Sequence, residues 1–108
     1  MSVQVDVTVD ELFGAVAARL VAENREVEQG RMLRSSGLKA GGKFFAFARD
    51  GELVVKVPAE RVAELVASGT GVPFFSGGRR MREWVCLRPP DADTCAARVD
   101  EARRFVTR

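Results

Sequence analysis

The spacing of apolar residues near the start of the chain predicts an amphipathic helix ending at about residue 24. One helical face collects Leu12, Phe13, Val16 and Leu20. Thr8 and Glu11 have the spacing of a capping box, in which the threonine hydroxyl accepts from the backbone three residues later. Val7 and Leu12 have the spacing of the accompanying hydrophobic staple. We therefore expect a helix that packs its apolar face on a sheet.

From residue 27 to residue 57 the pattern changes to the alternation typical of strands. A first strand begins at Val27, and we expect a bulge or kink to interrupt it at residues 35–37. Gly41-Gly42 and Asp50-Gly51 are turn dipeptides, because both central positions of such hairpin turns need positive φ. This segment therefore predicts three antiparallel strands joined by two tight turns.

A two-residue turn at Asp50-Gly51 would fix the register of its two strands and place Arg49 opposite Glu52. We expect an ion pair between these two side chains. One face of the hairpin is then wholly apolar and predicted to be core: Phe44, Ala46, Ala48, Leu53, Val55 and Val57. The other face is mixed: Phe45, Phe47, Arg49, Glu52, Val54 and Lys56. Phe45, Phe47 and Val54 form a candidate interface there, covered by a helix, a neighbouring strand or a partner chain.

The second half of the chain predicts a helix, two strands and a last helix. Pro58 suits the start of the first of these helices and Gly69 its end. Pro73 indicates an edge strand, and Asp91 or Asp93 is expected to cap the last helix. The element order α-β-β-β-α-β-β-α predicts an α+β fold, with helices packed on an antiparallel sheet of about five strands, in a single domain over residues 1–108.

The net charge of +2 conceals a strong segregation of charge along the chain. Residues 1–30 carry two bases and six acids, a net of −4, whereas residues 31–49 carry five bases and no acid. Two interpretations stay open. The asymmetry can mark an anionic partner, or it can reflect strands and helices that are solvated differently.

Several chemical classes are disfavoured by composition. Because the chain has no histidine, a Cys/His zinc site and a histidine-based triad are excluded. Cys86 and Cys95 lack the spacing of a metal or redox pair, so we expect buried thiols. Neither a basic-then-apolar leader nor a stretch of membrane-spanning length is visible. We therefore expect a cytoplasmic protein that is not an enzyme and uses no cofactor or metal.

The most suggestive stretch lies at residues 79–88. On a strand, Arg80, Arg82, Trp84 and Arg88 project to the same face. An indole between arginines can stack on a base while the guanidinium groups hold phosphate. Alternatively, the arginine stems shield Trp84 without any ligand. The candidate nucleic-acid contacts are Arg79, Arg80, Arg82, Trp84, Arg88, Arg31, Arg34 and Lys43.

The order of these motifs resembles the TfoX N-terminal domain family, which is related in fold to the MmcQ/YjbR proteins. The resemblance runs from about Val9 to the end of the chain. It is carried by Arg31-Met32, Gly37-Leu38, Phe45-Ala46, the hairpin at residues 50–56 and the late strand at residues 80–85. It departs from the family at residues 33–35, where many members have Phe-Gly-Gly after the methionine and this chain has Leu-Arg-Ser.

The resemblance implies an α+β domain with a curved antiparallel sheet. In longer family members this domain belongs to regulators of natural competence, and related folds have been proposed to bind DNA through wing-like hairpins. We therefore expect a regulatory module whose partner is nucleic acid. The alternative is a protein-interaction module, with a homodimer as one form.

Overall fold

The computed structural model describes residues 8–32, 35–89 and 91–108. Three helices and six strands follow one another along the described residues. The helices are α1 (Val9–Glu23), α2 (Ala59–Ala67) and α3 (Ala92–Val106). The strands are β1 (Val27–Met32), β2 (Ser35–Ala40), β3 (Lys43–Arg49), β4 (Glu52–Lys56), β5 (Gly71–Ser76) and β6 (Arg79–Leu87).

The strands form one antiparallel sheet in the order β1-β2-β3-β4-β6-β5. The α+β prediction is confirmed, and β5, which carries Pro73, is an edge strand as expected. The sheet has six strands rather than about five. Residues 35–37, where an interruption of the first strand was predicted, belong to a separate strand, β2. β1 and β2 pair antiparallel, with Met32 opposite Ser35. Within the described ranges, no helix is both long and apolar enough to cross a membrane.

Each helix begins or ends on a residue with a clear physical role. The Thr8 hydroxyl accepts from the backbone N–H of Glu11 at 3.1 Å, and Asp91 accepts from that of Thr94 at 2.8 Å. The N–H of Thr94 also lowers the pKa of the Asp91 carboxyl. Gly69 follows the C-cap Ser68 of α2 and takes φ 78°, a conformation that favours glycine. Val7 of the predicted staple lies outside the described residues.

All three helices pack on one face of the sheet, where they build the main core. The helices contribute Phe13, Val16, Ala17, Leu20, Val62, Leu65, Cys95, Val99 and Ala102. The β3–β4 hairpin has the predicted register, with Arg49 opposite Glu52 and Ala46 opposite Val55. Leu53, Val55 and Val57 are each at most 1% exposed in this core. The turn at Asp50-Gly51 takes positive φ at both positions, as the sequence predicts.

A bulge in β3 exchanges the faces of Phe44 and Phe45. The β2–β3 register shifts between Leu38, which lies opposite Ala46, and Lys39, which lies opposite Phe44. Phe45 is therefore the extra residue, and an extra residue reverses the alternation on one side of it. Phe45 is fully buried in the main core, whereas Phe44 packs on the opposite face. The predicted faces of these two phenylalanines are wrong for this reason.

Two glycines provide the space that Phe44 occupies. A Cβ on Gly30 would lie 3.1 Å from the Phe44 Cζ, and a Cβ on Gly37 would lie 3.2 Å from the same ring and from the Ala46 carbonyl. Gly30 and Gly37 are themselves paired across β1 and β2. The phenylalanine ring therefore lies over two paired residues that carry no side chain.

The bulge predicts unequal effects for two neighbouring substitutions. Phe45→Ala should lower the free energy of unfolding by about 3–5 kcal/mol, because it empties a fully buried site. Phe44→Ala, at a half-buried site, should cost clearly less. Urea unfolding followed by the fluorescence of Trp84 measures both values. A larger loss for Phe44→Ala would contradict the bulged register.

Candidate nucleic-acid interface

The face of the sheet opposite the helices carries a second, smaller apolar cluster. It consists of Phe47, Val54, Phe74, Trp84 and Cys86, with Phe44 and Met81 packed against it. No helical residue of the described chain belongs to it. We call this surface the helix-free face. It is the face that the sequence predicts for Phe47 and Val54.

Three aromatic rings form the centre of this cluster. The ring centroids of Phe47 and Phe74 lie 5.6 Å apart at an interplanar angle of 74°, and those of Phe47 and Trp84 lie 5.7 Å apart. Such edge-on and tilted contacts lie in the preferred range for aromatic pairs. Phe74 comes from β5, next to a register shift in which Pro73 faces Val85 but Phe75 faces Arg80. The irregular hairpin thus brings an edge-strand phenylalanine over the centre of the sheet.

Three basic side chains lie over aromatic rings on the helix-free face. Arg49 lies 5.7 Å from the centroid of Phe74, Lys56 lies 5.8 Å from Trp84, and Lys39 lies 5.8 Å from Phe44. Each contact contributes about 0.5–1 kcal/mol at exposed positions, and the long stems also exclude water from the rings. The chain therefore covers its helix-free face with its own residues.

The candidate interface residues are buried by this arrangement. Phe45 and Phe47 are 0% exposed and Val54 is 2% exposed within the chain itself. They therefore offer no surface to a partner chain. Trp84 is only 6% exposed, so it is not the open stacking platform that the arginine-rich strand suggested. The shielding interpretation fits better, although Lys56 rather than an arginine lies over the indole.

The expected ion pair across the β3–β4 hairpin is replaced by two others. Arg49 lies 3.6 Å from Asp50, and Glu52 lies 3.9 Å from Arg88. The register places Arg49 and Glu52 opposite each other, but each side chain forms its ion pair with a different residue. Because at least one partner of each pair is largely exposed to solvent, each pair contributes only about 0–1 kcal/mol.

Three of the predicted phosphate contacts lie together on a projecting hairpin. β4 pairs with β6 only from Trp84 onward, so the first part of β6 pairs with β5 alone. We call residues 75–82 the hairpin arm. Arg79, Arg80 and Arg82 are all exposed on it, and no acidic group in the described residues lies within 4.0 Å of their guanidinium groups.

The other predicted contacts do not join this group. Arg88 lies at the far end of β6 and pairs with Glu52. Arg31 lines a groove beside α1, near Phe13, and Lys43 lies near Val106 of α3. Both therefore belong to the side of the sheet that carries the helices. Arg34 lies outside the described residues.

Charge is divided between the two layers of the structure. The strands carry eight basic residues and three acidic ones, a net of +5. The helices carry five basic residues and eight acidic ones, a net of −3. The segregation seen along the chain thus becomes a segregation between strands and helices, with Arg31 and Lys43 on the side of the sheet that the helices cover.

Sequence reasoning missed Phe75, which is 55% exposed on the hairpin arm. Its Cα partner across the hairpin is Arg80. The alternation of β5 gave one signal, since Phe74 and Phe75 must point to opposite faces and only one of them can join the aromatic cluster. The exposure of Phe75 depends on how far the hairpin extends beyond β4, which the pattern of residues does not encode.

Cys86 belongs to the aromatic cluster, and its thiol ionises less readily than that of a free cysteine. Burial, and then the nearby Glu52 carboxylate, raise the pKa of its thiol to about 11, opposed by Arg49. Burial also raises the pKa of Cys95 in the main core. Both thiols are free and buried, as the sequence predicts.

No protein-family model, no curated protein and no solved structure matches this chain. The choice of a candidate site therefore depends on geometry and charge.

The burial of Trp84 predicts a structural rather than a ligand-contacting role. Trp84→Ala should lower the free energy of unfolding by about 3–5 kcal/mol, because it removes the centre of the aromatic cluster. Phe75→Ala is the matched control, since it removes an exposed ring and should change stability by about 0.5 kcal/mol or less. Chemical denaturation monitored by circular dichroism compares the two. Equal losses in both variants would contradict this assignment.

The pKa of Cys86 predicts a stability loss at alkaline pH. An unfolded thiol ionises near its ordinary pKa of 9.0, whereas the folded one stays protonated to about 11. Raising the pH through this window therefore favours the unfolded state, and the thiol's full contribution is present only below pH 9. Denaturant unfolding across the window should show a steeper decline for the native chain than for Cys86→Ala. Identical slopes would show that Cys86 does not contribute.

Proposed function

We propose that this protein is a non-enzymatic regulatory module that binds nucleic acid through its hairpin arm and the adjoining basic strands. The single observation that carries the proposal is the set of three exposed arginines at positions 79, 80 and 82 on a hairpin that projects beyond β4. Guanidinium groups pair with phosphate oxygens in a planar, two-bonded geometry, which makes arginine the preferred residue for such contacts.

The charge of the two layers supports the same orientation. With a net of +5 on the strands and −3 on the helices, the sheet side attracts a polyanion and the helix side repels it. Lys39 and Lys56, which lie over aromatic rings, keep their charge at the surface of the helix-free face. These lysines add positive charge to the helix-free face.

The resemblance to the TfoX N-terminal domain family forms part of this proposal. Its support is the α+β architecture with an antiparallel sheet and the hairpin at Asp50-Gly51. The same proposal places the protein in the cytoplasm, where its two free thiols would stay reduced. The regulatory role rests on the resemblance, and the binding role rests on the arginines.

Self-association through the edge strand β5 is the second candidate function. Val72 and Phe75 are 53% and 55% exposed on this strand, more than any other large apolar side chain described. An edge strand with exposed apolar groups can pair with a second copy. Pro73 between them opposes this pairing, because it has no backbone N–H to donate.

The salt dependence of binding tests the proposed function. A labelled single strand and a duplex of equal length should each bind at roughly 50 mM salt and weaken strongly by roughly 200 mM. In the double variant Arg80→Gln/Arg82→Gln, the slope of log Kd against log salt should decrease by about 2, since each lost phosphate contact removes about one. Fluorescence anisotropy measures these slopes.

The control is the double variant Arg19→Gln/Arg25→Gln, which removes the same charge from α1 and the turn that follows it. This control should bind as the unmodified chain does. Absence of binding at low salt, or an equal loss in both double variants, would contradict a role for the hairpin arm.

A further inference from the structure

Phe75 and Arg80 form a small site on the hairpin arm, and we infer that this site stacks on an unpaired base, so that the ligand is single-stranded nucleic acid. This inference rests on the proposed function and names its substrate class. It assigns to Phe75 the stacking role for which Trp84 is too deeply buried.

Phe75 differs from the other six phenylalanines of the chain. Phe13, Phe45, Phe47 and Phe74 are buried, and Phe44 and Phe105 are half-buried. Phe75 alone is classed as exposed, at 55%, and its ring has no aromatic or cationic partner among the described residues. An aromatic ring with an uncovered face costs hydration free energy and contributes little to the core. A single exposed apolar side chain is common on protein surfaces, so the residues around Phe75 decide whether it has a ligand.

The neighbours of Phe75 are those that a nucleotide requires. Arg80 lies directly across the hairpin, and directly opposed residues have Cβ atoms about 4.5–5.5 Å apart. A base stacked on the ring would therefore place its phosphate within reach of the Arg80 guanidinium.

The turn of the hairpin leaves this site open. Gly77 and Gly78 take φ values of 58° and 79° and have no side chains to shield the ring. A Cβ at either position would meet nothing within 4 Å. A backbone of nucleotides can therefore approach the ring past the turn without a steric barrier.

Single strands fit this site better than duplexes. The flat face of a base is accessible only where it is unstacked, as it is in a single strand. Inserting Phe75 between the base pairs of a duplex would cost a few kcal/mol of unstacking. One ring with two or three arginines makes too few contacts to offset that cost. Stacking on a base that is already unpaired requires no unstacking of base pairs.

A second copy of this chain explains the exposed ring less well. Stable protein interfaces bury about 1,200 Å² or more in total. Val72 and Phe75 are the only large apolar side chains of the described residues exposed on this edge, and Pro73 lies between them without an N–H. Such a dimer would also bring the three arginines of one copy close to those of the other, and repulsion between these like charges would weaken it.

The experiment compares labelled oligo(dT) with a duplex of equal length at low salt, using fluorescence anisotropy. Phe75→Ala should weaken oligo(dT) binding about 5- to 150-fold, the range expected from one lost base–aromatic stack, and should leave duplex binding unchanged. Phe75→Trp should restore binding of oligo(dT). Phe75→Leu should not, because leucine is apolar but has no ring.

Val72→Ala is the matched control, since Val72 is equally exposed on the same strand but is aliphatic. It should bind oligo(dT) as the unmodified chain does. Circular dichroism verifies that every variant is folded, which is expected because both residues are exposed.

Each outcome decides between the two proposals. If oligo(dT) binds and requires Arg80 and Arg82 but not Phe75, the proposed function stands and the stacking site is overturned. If neither probe binds at low salt, both are overturned. If sedimentation shows a dimer that Phe75→Ala dissociates, the ring serves self-association instead, and the single-strand assignment is overturned.

Discussion

The single extra residue in β3 is the constraint on which the rest of the structure depends. With Phe45 inserted as a bulge, one short strand supplies Phe45 to the main core and both Phe44 and Phe47 to the helix-free face. A regular strand would have left Phe45 on the side without helices. The helices on the other face would then have packed against Phe44, Ala46 and Ala48. The bulge therefore exchanges Phe44 for Phe45 in the main core and places Phe44 over Gly30 and Gly37 on the opposite face.

The consequence is a sheet that is apolar on both faces but has helices on only one. The helix-free face is closed by Phe74 from the edge strand and by the stems of Lys39, Arg49 and Lys56. This solution places positive charge on the outside of a buried aromatic cluster. The basic side chains that shield the rings thus also give this surface positive charge, and they form part of the excess of basic residues on the strands.

Much of the fold was predictable because it depends on local chemistry. Positive φ at Asp50 and Gly51, the caps at Thr8 and Asp91, the stop at Gly69 and the edge position of Pro73 each follow from what one residue or dipeptide can adopt. The candidate site was only partly predictable. Arg79, Arg80 and Arg82 are adjacent in sequence and so had to lie together, whereas Arg31 and Lys43 lie on the side of the helices although they occur in the same basic segment.

The sequence by itself determined the register of the β3–β4 hairpin, the class of the fold and the excess of positive charge on the strands, because these depend on short-range geometry and composition. Only the tertiary structure decided which phenylalanine is buried. Trp84 is covered because Phe74 and Lys56 reach it across the sheet, and Phe75 is exposed because the β5–β6 hairpin continues beyond the end of β4. The physical reason is that burial is set by neighbours distant in sequence, and a register shift of a few residues changes which side chains those neighbours cover.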